Sequence, residues 1–389
     1  MRILIISFHY TPDLCAGSFR STALVQQLCA QSNGDVEIDV ITTVPNRYAS
    51  YKIAAPAFEQ SNGLTIHRIK LPAHRSGMMD QAKSFAYFAK EVNKLIKSKH
   101  YTLVYATSSR LMAAALGAWV ARRQQAILYL DIRDLFVDTI KDVFSPALSK
   151  LTKPIFSAIE KWTFGRAQHI NLVSKGFQSY IVKRYPRTPL SWHTNGIDSD
   201  FIDVIQDSTP VNSSALPTVL YAGNIGEGQG LHRIIPELAN AFEGRAHFKL
   251  IGDGGRKSQL ESAILAAQCT NVELLAPMNR QALCKAYQEA DVLLLHLNDY
   301  DAFHNVLPSK IFEYAAMGKP IWAGVAGFSR EFIQSEIDNA VVFDPCNVKQ
   351  AIDSFAKLTL ETRHREHFVK KYQREHIMRD MAAELLALI

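Results

Sequence analysis

Cysteine is scarce in this chain: five in 389 residues (Cys15, Cys29, Cys269, Cys284 and Cys346), an odd set with no Cys-x-x-Cys pair. That excludes a disulfide-stapled scaffold, argues against a cysteine-based structural zinc site and fits a reduced cytosol. Long apolar runs are missing too. The longest, Leu111 to Ala121, is too short to span a bilayer and is bracketed by Arg110, Arg122 and Arg123. Ile3-Leu4-Ile5-Ile6 is too brief for a signal core, so a cytoplasmic location is expected. Blocks of Lys/Arg never exceed two or three residues, which leaves nucleic acid without a binding motif. Neither a Gly-x-Gly-x-x-Gly fingerprint nor a Gly-Lys-Ser/Thr P-loop occurs, which speaks against a dehydrogenase.

What is present describes a large α/β protein. Hydrophobic residues make up 48% and charged residues 21%, enough apolar surface for two cores, and the length suits two domains at roughly 100–200 residues each. The net charge of +6 is unevenly divided. Residues 1–200 carry 25 Lys/Arg against 14 Asp/Glu, and the remainder 18 against 23. A basic first half is expected to meet something anionic. Two basic amphipathic stretches, Ser145–Arg166 and Phe85–Lys99, make a peripheral membrane contact the expectation, although a helix face packed on its own sheet would read the same way.

Apolar runs alternate with helical patterns twice. In the first half, Arg2–Ser7 reads as a buried strand, followed by a turn, a helix and the strand Val36–Ile41. Further strands are expected at Leu64–Lys70, Leu103–Ala106, Ile127–Leu130 and His169–Ser174. The second half gives Thr218–Ala222, His247–Ile251, Val272–Leu275, Val292–Leu297, Pro320–Ala323 and Ala340–Phe343. The expected fold is two Rossmann-like, doubly wound domains facing across a cleft, with ligands beyond the carboxyl ends of the strands. Domain limits are placed at 1–198 and 218–368. The polar, turn-rich stretch 199–217, with Asp207-Ser208-Thr209-Pro210, is the linker.

Three loops are shaped for a phosphorylated nucleotide. Ala16-Gly17-Ser18 opens a helix after the first strand, with Arg20 within the first turn; glycine allows close approach and free N–H groups attract an anion. Gly223-Asn224-Ile225-Gly226-Glu227-Gly228-Gln229-Gly230 packs four glycines into eight residues after the first strand of the second half. The third loop leads from Asn305 through Val306, Leu307, Pro308 and Ser309 to Lys310, and on to Glu313 and Gly318. Its proline and glycine mark helix limits. Lys310 near the helix start opposes the macrodipole unless an anion sits there. Glu313, three residues on, shares its face, so a carboxylate for ribose hydroxyls and an ammonium for a diphosphate come together; a surface Lys–Glu pair is the plainer alternative.

With these residues in place, the sequence resembles the retaining GT-B glycosyltransferases of family 4. Phe312-Glu313-Tyr314-Ala315-Ala316-Met317-Gly318-Lys319-Pro320-Ile321 is similar to the family's Glu-Ala-Met-Ala-x-Gly-x-Pro-Val segment. Asn195-Gly196-Ile197-Asp198, Gly252-Asp253-Gly254 and Ala290-Asp291-Val292 resemble its other landmarks. The resemblance implies a nucleoside diphosphate sugar as donor and a retaining, front-face transfer without a bound metal or cofactor. It implies that Glu313 holds the ribose, Gly17 and Lys310 the diphosphate, and the Val306 and Leu307 N–H groups the sugar or phosphates. Met278 would lie near the base, and a helix over 369–389 would cross back onto the first domain. The family's acid eight residues before Glu313 is here Asn305, and its Arg and Lys after the first donor-domain strand are Asn224 and Gln229. Lys310, aided by Arg20 or Arg133, is the expected replacement for the missing charge, and Arg133 and Asp134 are expected to face acceptor or donor sugar, an intradomain salt bridge being the alternative. The loops resemble a bacterial O-antigen and capsule subgroup that includes N-acetyl-L-fucosamine transferases. That subgroup implies a UDP-sugar and an undecaprenyl-diphosphate-linked saccharide as acceptor. A nucleotide-sugar 2-epimerase and an inactive scaffold of a polysaccharide assembly complex are the alternatives.

Overall fold

The computed structural model describes residues 1–32, 34–46, 54–72, 78–108, 110–143, 146–203 and 216–389. Most of the expected linker, including Asp207-Ser208-Thr209-Pro210, lies outside them, as does Ser145; the linker's first residues form the short helix Ser199–Asp203. The chain divides into two compact units. One is built from residues up to Asn195 together with Glu375–Ile389, the other from Gly196–Arg374.

The strands of the first unit are β1 (Arg2–Ile6), β2 (Glu37–Thr43), β3 (Phe58–Ser61), β4 (Leu64–Ile69), β5 (Leu103–Thr107), β6 (Ile127–Ile132), β7 (His169–Leu172) and β8 (Leu190–Ser191). They order as β3-β4-β2-β1-β5-β6-β7-β8, all pairs parallel except the β3–β4 hairpin. The second unit contains β9 (Thr218–Asn224), β10 (His247–Asp253), β11 (Val272–Leu275), β12 (Val292–His296), β13 (Ile321–Gly324) and β14 (Ala340–Phe343), ordered β11-β10-β9-β12-β13-β14. Both sheets are doubly wound. Central strands such as β1 and β12 are covered on both faces, which is why they read as unbroken apolar runs rather than alternating ones. Strand order reverses between β1 and β5 in one sheet and between β9 and β12 in the other. Ligands of this architecture bind just beyond the strand ends at such reversals.

Residues after the second unit complete the first. The helix Arg374–Leu386 lays Met378, Met381, Ala382 and Leu385 into the first unit's core beside Leu24, Val25 and Leu28. Glu384 on that helix accepts hydrogen bonds from Tyr129 Oη (2.6 Å) and Ser191 Oγ (2.9 Å), with His169 Nε2 at 3.1 Å and His193 Nε2 at 3.4 Å. Burial works against its charge, but the bonds from His169, His193 and Tyr129 prevail and hold the carboxyl well below the usual glutamate range. The two crossings between units run side by side. Ile197 N–H donates to the Tyr372 carbonyl and Arg374 N–H to the Ile197 carbonyl, both at 2.8 Å. A Cβ on Gly196 would stand 2.6 Å from the Arg374 Cα, so only glycine permits that approach. Asp198 then binds both Arg374 and Arg280.

Glu384→Ala is expected to cost about 2–3 kcal/mol, lowering the melting temperature by roughly 5–10 °C. Because the folded carboxyl is the stronger acid, this contribution is complete above the unfolded value of about 4.3. It fades as pH falls below that value. A melting temperature within one or two degrees of wild type at neutral pH would show that the clasp does not secure the helix.

Candidate functional site

In the first unit the loop after β1 runs into the helix Ala16–Gln31, which has no acidic residue in its first turn and no side-chain cap at Cys15. Its opening N–H groups are therefore available to an anion. Gly17 lies against Arg133: a Cβ there would come 2.4 Å from Arg133 Nη1. Ser18 is buried with its Oγ unpartnered, and Arg133 Nε is likewise buried without a hydrogen bond. Gly17 and Arg133 are thus neighbours at the strand reversal, with Ser18 buried beside Gly17 in the helix start. Asp134 follows Arg133 in an exposed loop between β6 and the next helix.

Arg20 does something else. Expected at a phosphate, it is wholly buried. Its Nε and Nη2 donate to the two Asp131 oxygens at 2.7 and 2.9 Å, Nη1 to the Thr194 carbonyl at 2.8 Å and Nη2 also to the His193 carbonyl at 2.7 Å. With its donors spent on the fold, Arg20 is a structural residue and not a donor ligand. Asp131 is shared further with Tyr105 Oη (2.8 Å) and Asn171 Nδ2 (2.7 Å).

In the second unit the glycines let neighbouring loops touch. Gly252 faces Gly223 across the β9–β10 ladder, where a Cβ would fall 1.9 Å from the Gly223 carbonyl oxygen. Backbone packing alone therefore accounts for the glycine at this position. Asn224 Nδ2 donates to Gln229 Oε1 at 2.7 Å, so these two neutral residues bond to each other. Deeper in, His296 is fully buried. Its Nδ1 lies 2.7 Å from the Gln229 carbonyl and its Nε2 accepts from Cys346 N–H at 3.0 Å, while burial drives its pKa down to about 4. A neutral imidazole with the proton on Nδ1 therefore ties the loop after β9 to the loop after β14.

The segment after β12 forms a 3-10 run, Asp301–Asn305, then Val306 to Ser309 lead into the helix Lys310–Ala316. Gly327 packs under His304, and Ser329 Oγ donates to the Val306 carbonyl at 2.5 Å, fixing the segment from below. Of the two N–H groups expected to face a ligand, that of Val306 is already donated to the Phe303 carbonyl at 3.2 Å. It is closing the preceding turn, so its ligand role is withdrawn. The Leu307 N–H has no acceptor among the described residues. Asn305 sits half-buried at the end of the 3-10 run.

Lys310 and Glu313 do meet: Nζ donates to Glu313 Oε2 at 2.8 Å, and Glu313 is almost wholly buried. A third member was not anticipated. Tyr287, fully buried on the helix Arg280–Glu289, accepts from Lys310 Nζ at 2.8 Å and donates to Glu313 Oε2 at 3.3 Å. Burial first, then the Glu313 charge, push its phenol well above the ordinary value, so it stays protonated. Glu313 Oε1 takes no hydrogen bond from the described residues. Met278 lies beyond β11 in a separate hollow of about 280 Å³ with Ile251, Leu275, Ala282 and Lys285. Asp198-Ser199-Asp200 has the Asp-x-Asp spacing, but Arg280 binds both carboxylates. No group of three or more His, Cys, Asp or Glu able to hold a metal occurs among the described residues.

Two family matches bear on this arrangement. Residues 21–195 match the glycosyl transferase 4-like domain, and residues 207–375 match the glycosyl transferases group 1 family. The chain is a group 1 glycosyltransferase with a glycosyl transferase 4-like domain. Its two doubly wound units are those of the GT-B fold. This glycosyltransferase is 21% identical over 420 residues to WcaI of Escherichia coli (strain K12), named as a colanic acid biosynthesis glycosyl transferase, covering 99% of this chain and 100% of that one. Among solved structures it resembles sucrose-phosphate synthase (tll1590) from Thermosynechococcus elongatus, at 16% identity and a TM-score of 0.73 over 100% of this chain and 98% of that one. It also resembles Alr3699/HepE of Anabaena in complex with UDP and glucose, at 15% identity and a TM-score of 0.66 over 99% of each chain.

Arg20→Ala separates the structural from the ligand role. Leaving Asp131 buried and uncompensated should cost the glycosyltransferase about 3–5 kcal/mol, read as a large loss of soluble protein or of urea midpoint. A variant with wild-type stability that fails only to bind nucleotide would restore the phosphate assignment.

Proposed function

We propose that this glycosyltransferase moves a hexosyl group, with retention, from a nucleoside diphosphate sugar to a hydroxyl of a lipid-linked glycan during surface polysaccharide synthesis. A UDP-sugar is the favoured donor, UDP-N-acetyl-L-fucosamine being the one the loop resemblance suggests. The acceptor is an undecaprenyl-diphosphate-linked saccharide, presented at the cytoplasmic face of a membrane that the enzyme touches peripherally. Support for the nucleotide comes from the UDP in the HepE structure, and for the pathway class from the colanic acid role in WcaI's name. The observation that carries the reading is the Lys310–Tyr287–Glu313 cluster at the strand reversal of the second unit.

Each group has a task. The unused Glu313 Oε1 accepts from ribose hydroxyls, and Lys310 neutralises the diphosphate as negative charge develops on it, which is where electrostatic catalysis gains most. Leu307 N–H and Ser309 add donors, and Met278 adjoins the base. In the first unit Gly17, Ser18 and Arg133 form an anion-facing patch, with Asp134 beside them for sugar hydroxyls. In the front-face route the bond from the anomeric carbon to the phosphate oxygen breaks as the acceptor oxygen bonds to that carbon on the same face. The acceptor proton passes to the departing phosphate. No carboxylate nucleophile is required, so Asn305 is compatible with turnover, and no metal is needed in this scheme. One observation favours a second reading: the Asn224–Gln229 pair supplies no cation, as in a chain that binds donor without turning it over.

Lys310→Ala is expected to lower kcat/KM about 100-fold with matched donor and acceptor, while the protein still melts cooperatively. Activity near wild type would overturn the diphosphate assignment, and donor binding without turnover in the wild-type chain would favour the second reading. A thermal-shift comparison of UDP-, GDP-, ADP- and TDP-sugars identifies the donor, since only ligand bound to the native state raises the transition.

A further inference from the structure

The helix Pro146–Phe164 carries apolar side chains on the wrong side for a cover on a sheet. Leu151 (70% exposed) and Ile155 (58% exposed) stand one turn apart facing solvent, among exposed Lys150, Lys153 and Lys161. Its inward side is already filled: Ser149, Thr163 and Phe164 are buried. The helix's one acid, Glu160, also points inward, where Tyr180 Oη donates to it at 2.6 Å. The outward face is thus cationic and apolar with no negative charge of its own.

A groove adjoins the last turn of this helix. It encloses about 400 Å³, floored by Ala118, Ala121 and Leu128 and rimmed by Arg122 and Arg166, with no acidic residue in its lining. Arg166 stacks on Trp162 with 4.5 Å to the ring centroid, and Arg123 on Trp119 with 5.4 Å. Tryptophan rings with one edge in water are suited to a lipid headgroup layer, and paired arginines are suited to phosphates.

We propose that the face made by the helix Pro146–Phe164 and the Arg122–Arg166 groove docks on an anionic lipid bilayer. Leu151 and Ile155 enter the acyl boundary, the lysines lie along the headgroups, and the groove seats a lipid phosphate. The occupant follows from charge complementarity: the face has cations and apolar carbons together, and only an interface offering anions over hydrocarbon satisfies both. A protein partner would have to present acids around an apolar ridge, a narrower requirement. This deepens the proposed transfer to a lipid-linked acceptor, and rests on that reading only for its purpose.

The test is co-sedimentation of the full chain with vesicles of phosphatidylglycerol and phosphatidylcholine, against phosphatidylcholine alone. Wild type should bind the anionic vesicles, release them as salt rises, and shift tryptophan emission to the blue. Leu151→Asp with Ile155→Asp should weaken partition at least about tenfold. Lys150→Gln, Lys153→Gln and Lys161→Gln together should weaken it roughly a hundredfold. These side chains are at the surface, so circular dichroism and transfer to a water-soluble acceptor should match wild type. Equal binding to neutral and anionic vesicles, or undiminished binding by the aspartate variant, overturns the proposal. So does a wild-type chain that ignores vesicles but loses a stable self-association in that variant. The assay contains neither donor nor acceptor, so its failure leaves the transfer reaction standing.

Discussion

The first unit is organised around one buried ion pair. Burial opposes the charge on both Arg20 and Asp131, but their mutual attraction and the bonds between them outweigh it, raising the arginine and lowering the aspartate. Such a pair persists because its remaining valences are filled: Tyr105 and Asn171 complete the carboxylate, and the carbonyls of His193 and Thr194 complete the guanidinium. Those partners come from β5, β7 and the chain leading out of the unit. Holding them at one point fixes the strand ends from which Gly17 and Arg133 project.

The second unit achieves the same precision with backbone contacts. Gly252 against Gly223 and Gly327 against His304 bring loops closer than any side chain would allow. Neutral links such as Asn224–Gln229 and His296 then hold them in register. On that frame Tyr287 acts as a spacer, keeping Lys310 and Glu313 at bonding distance with one carboxylate oxygen uncommitted. The ammonium is thereby held in one orientation by the phenol and the carboxylate together.

Much of this was legible from the sequence, and what was not has a physical cause. Buried parallel strands are contiguous apolar runs, so β9 to β14 could be placed to within a residue or two. The β3–β4 hairpin was passed over although Asn62-Gly63 is the turn signal for it, with Asn62 at φ 21° and Gly63 at φ 80°. β8, two residues long, has no period to detect. Lys310 and Glu313 were paired from spacing alone, because three residues on a helix is a local relation. Arg20 was misread because Gly-Ser-x-Arg at a helix start suits an anion equally well. Its actual partner, Asp131, lies 111 residues away. Tyr287 and Glu384 were missed for the same reason: nothing near them in sequence announces what they touch.

The helix that carries Glu384 also sets the order in which the chain can mature. Residues 375–389 fill a core whose other members all precede residue 196. As the chain leaves the ribosome, the core around Leu24, Val25 and Leu28 therefore stays incomplete while the whole of the intervening unit is translated. A first unit lacking that helix would carry apolar surface that residues before 196 do not cover by themselves.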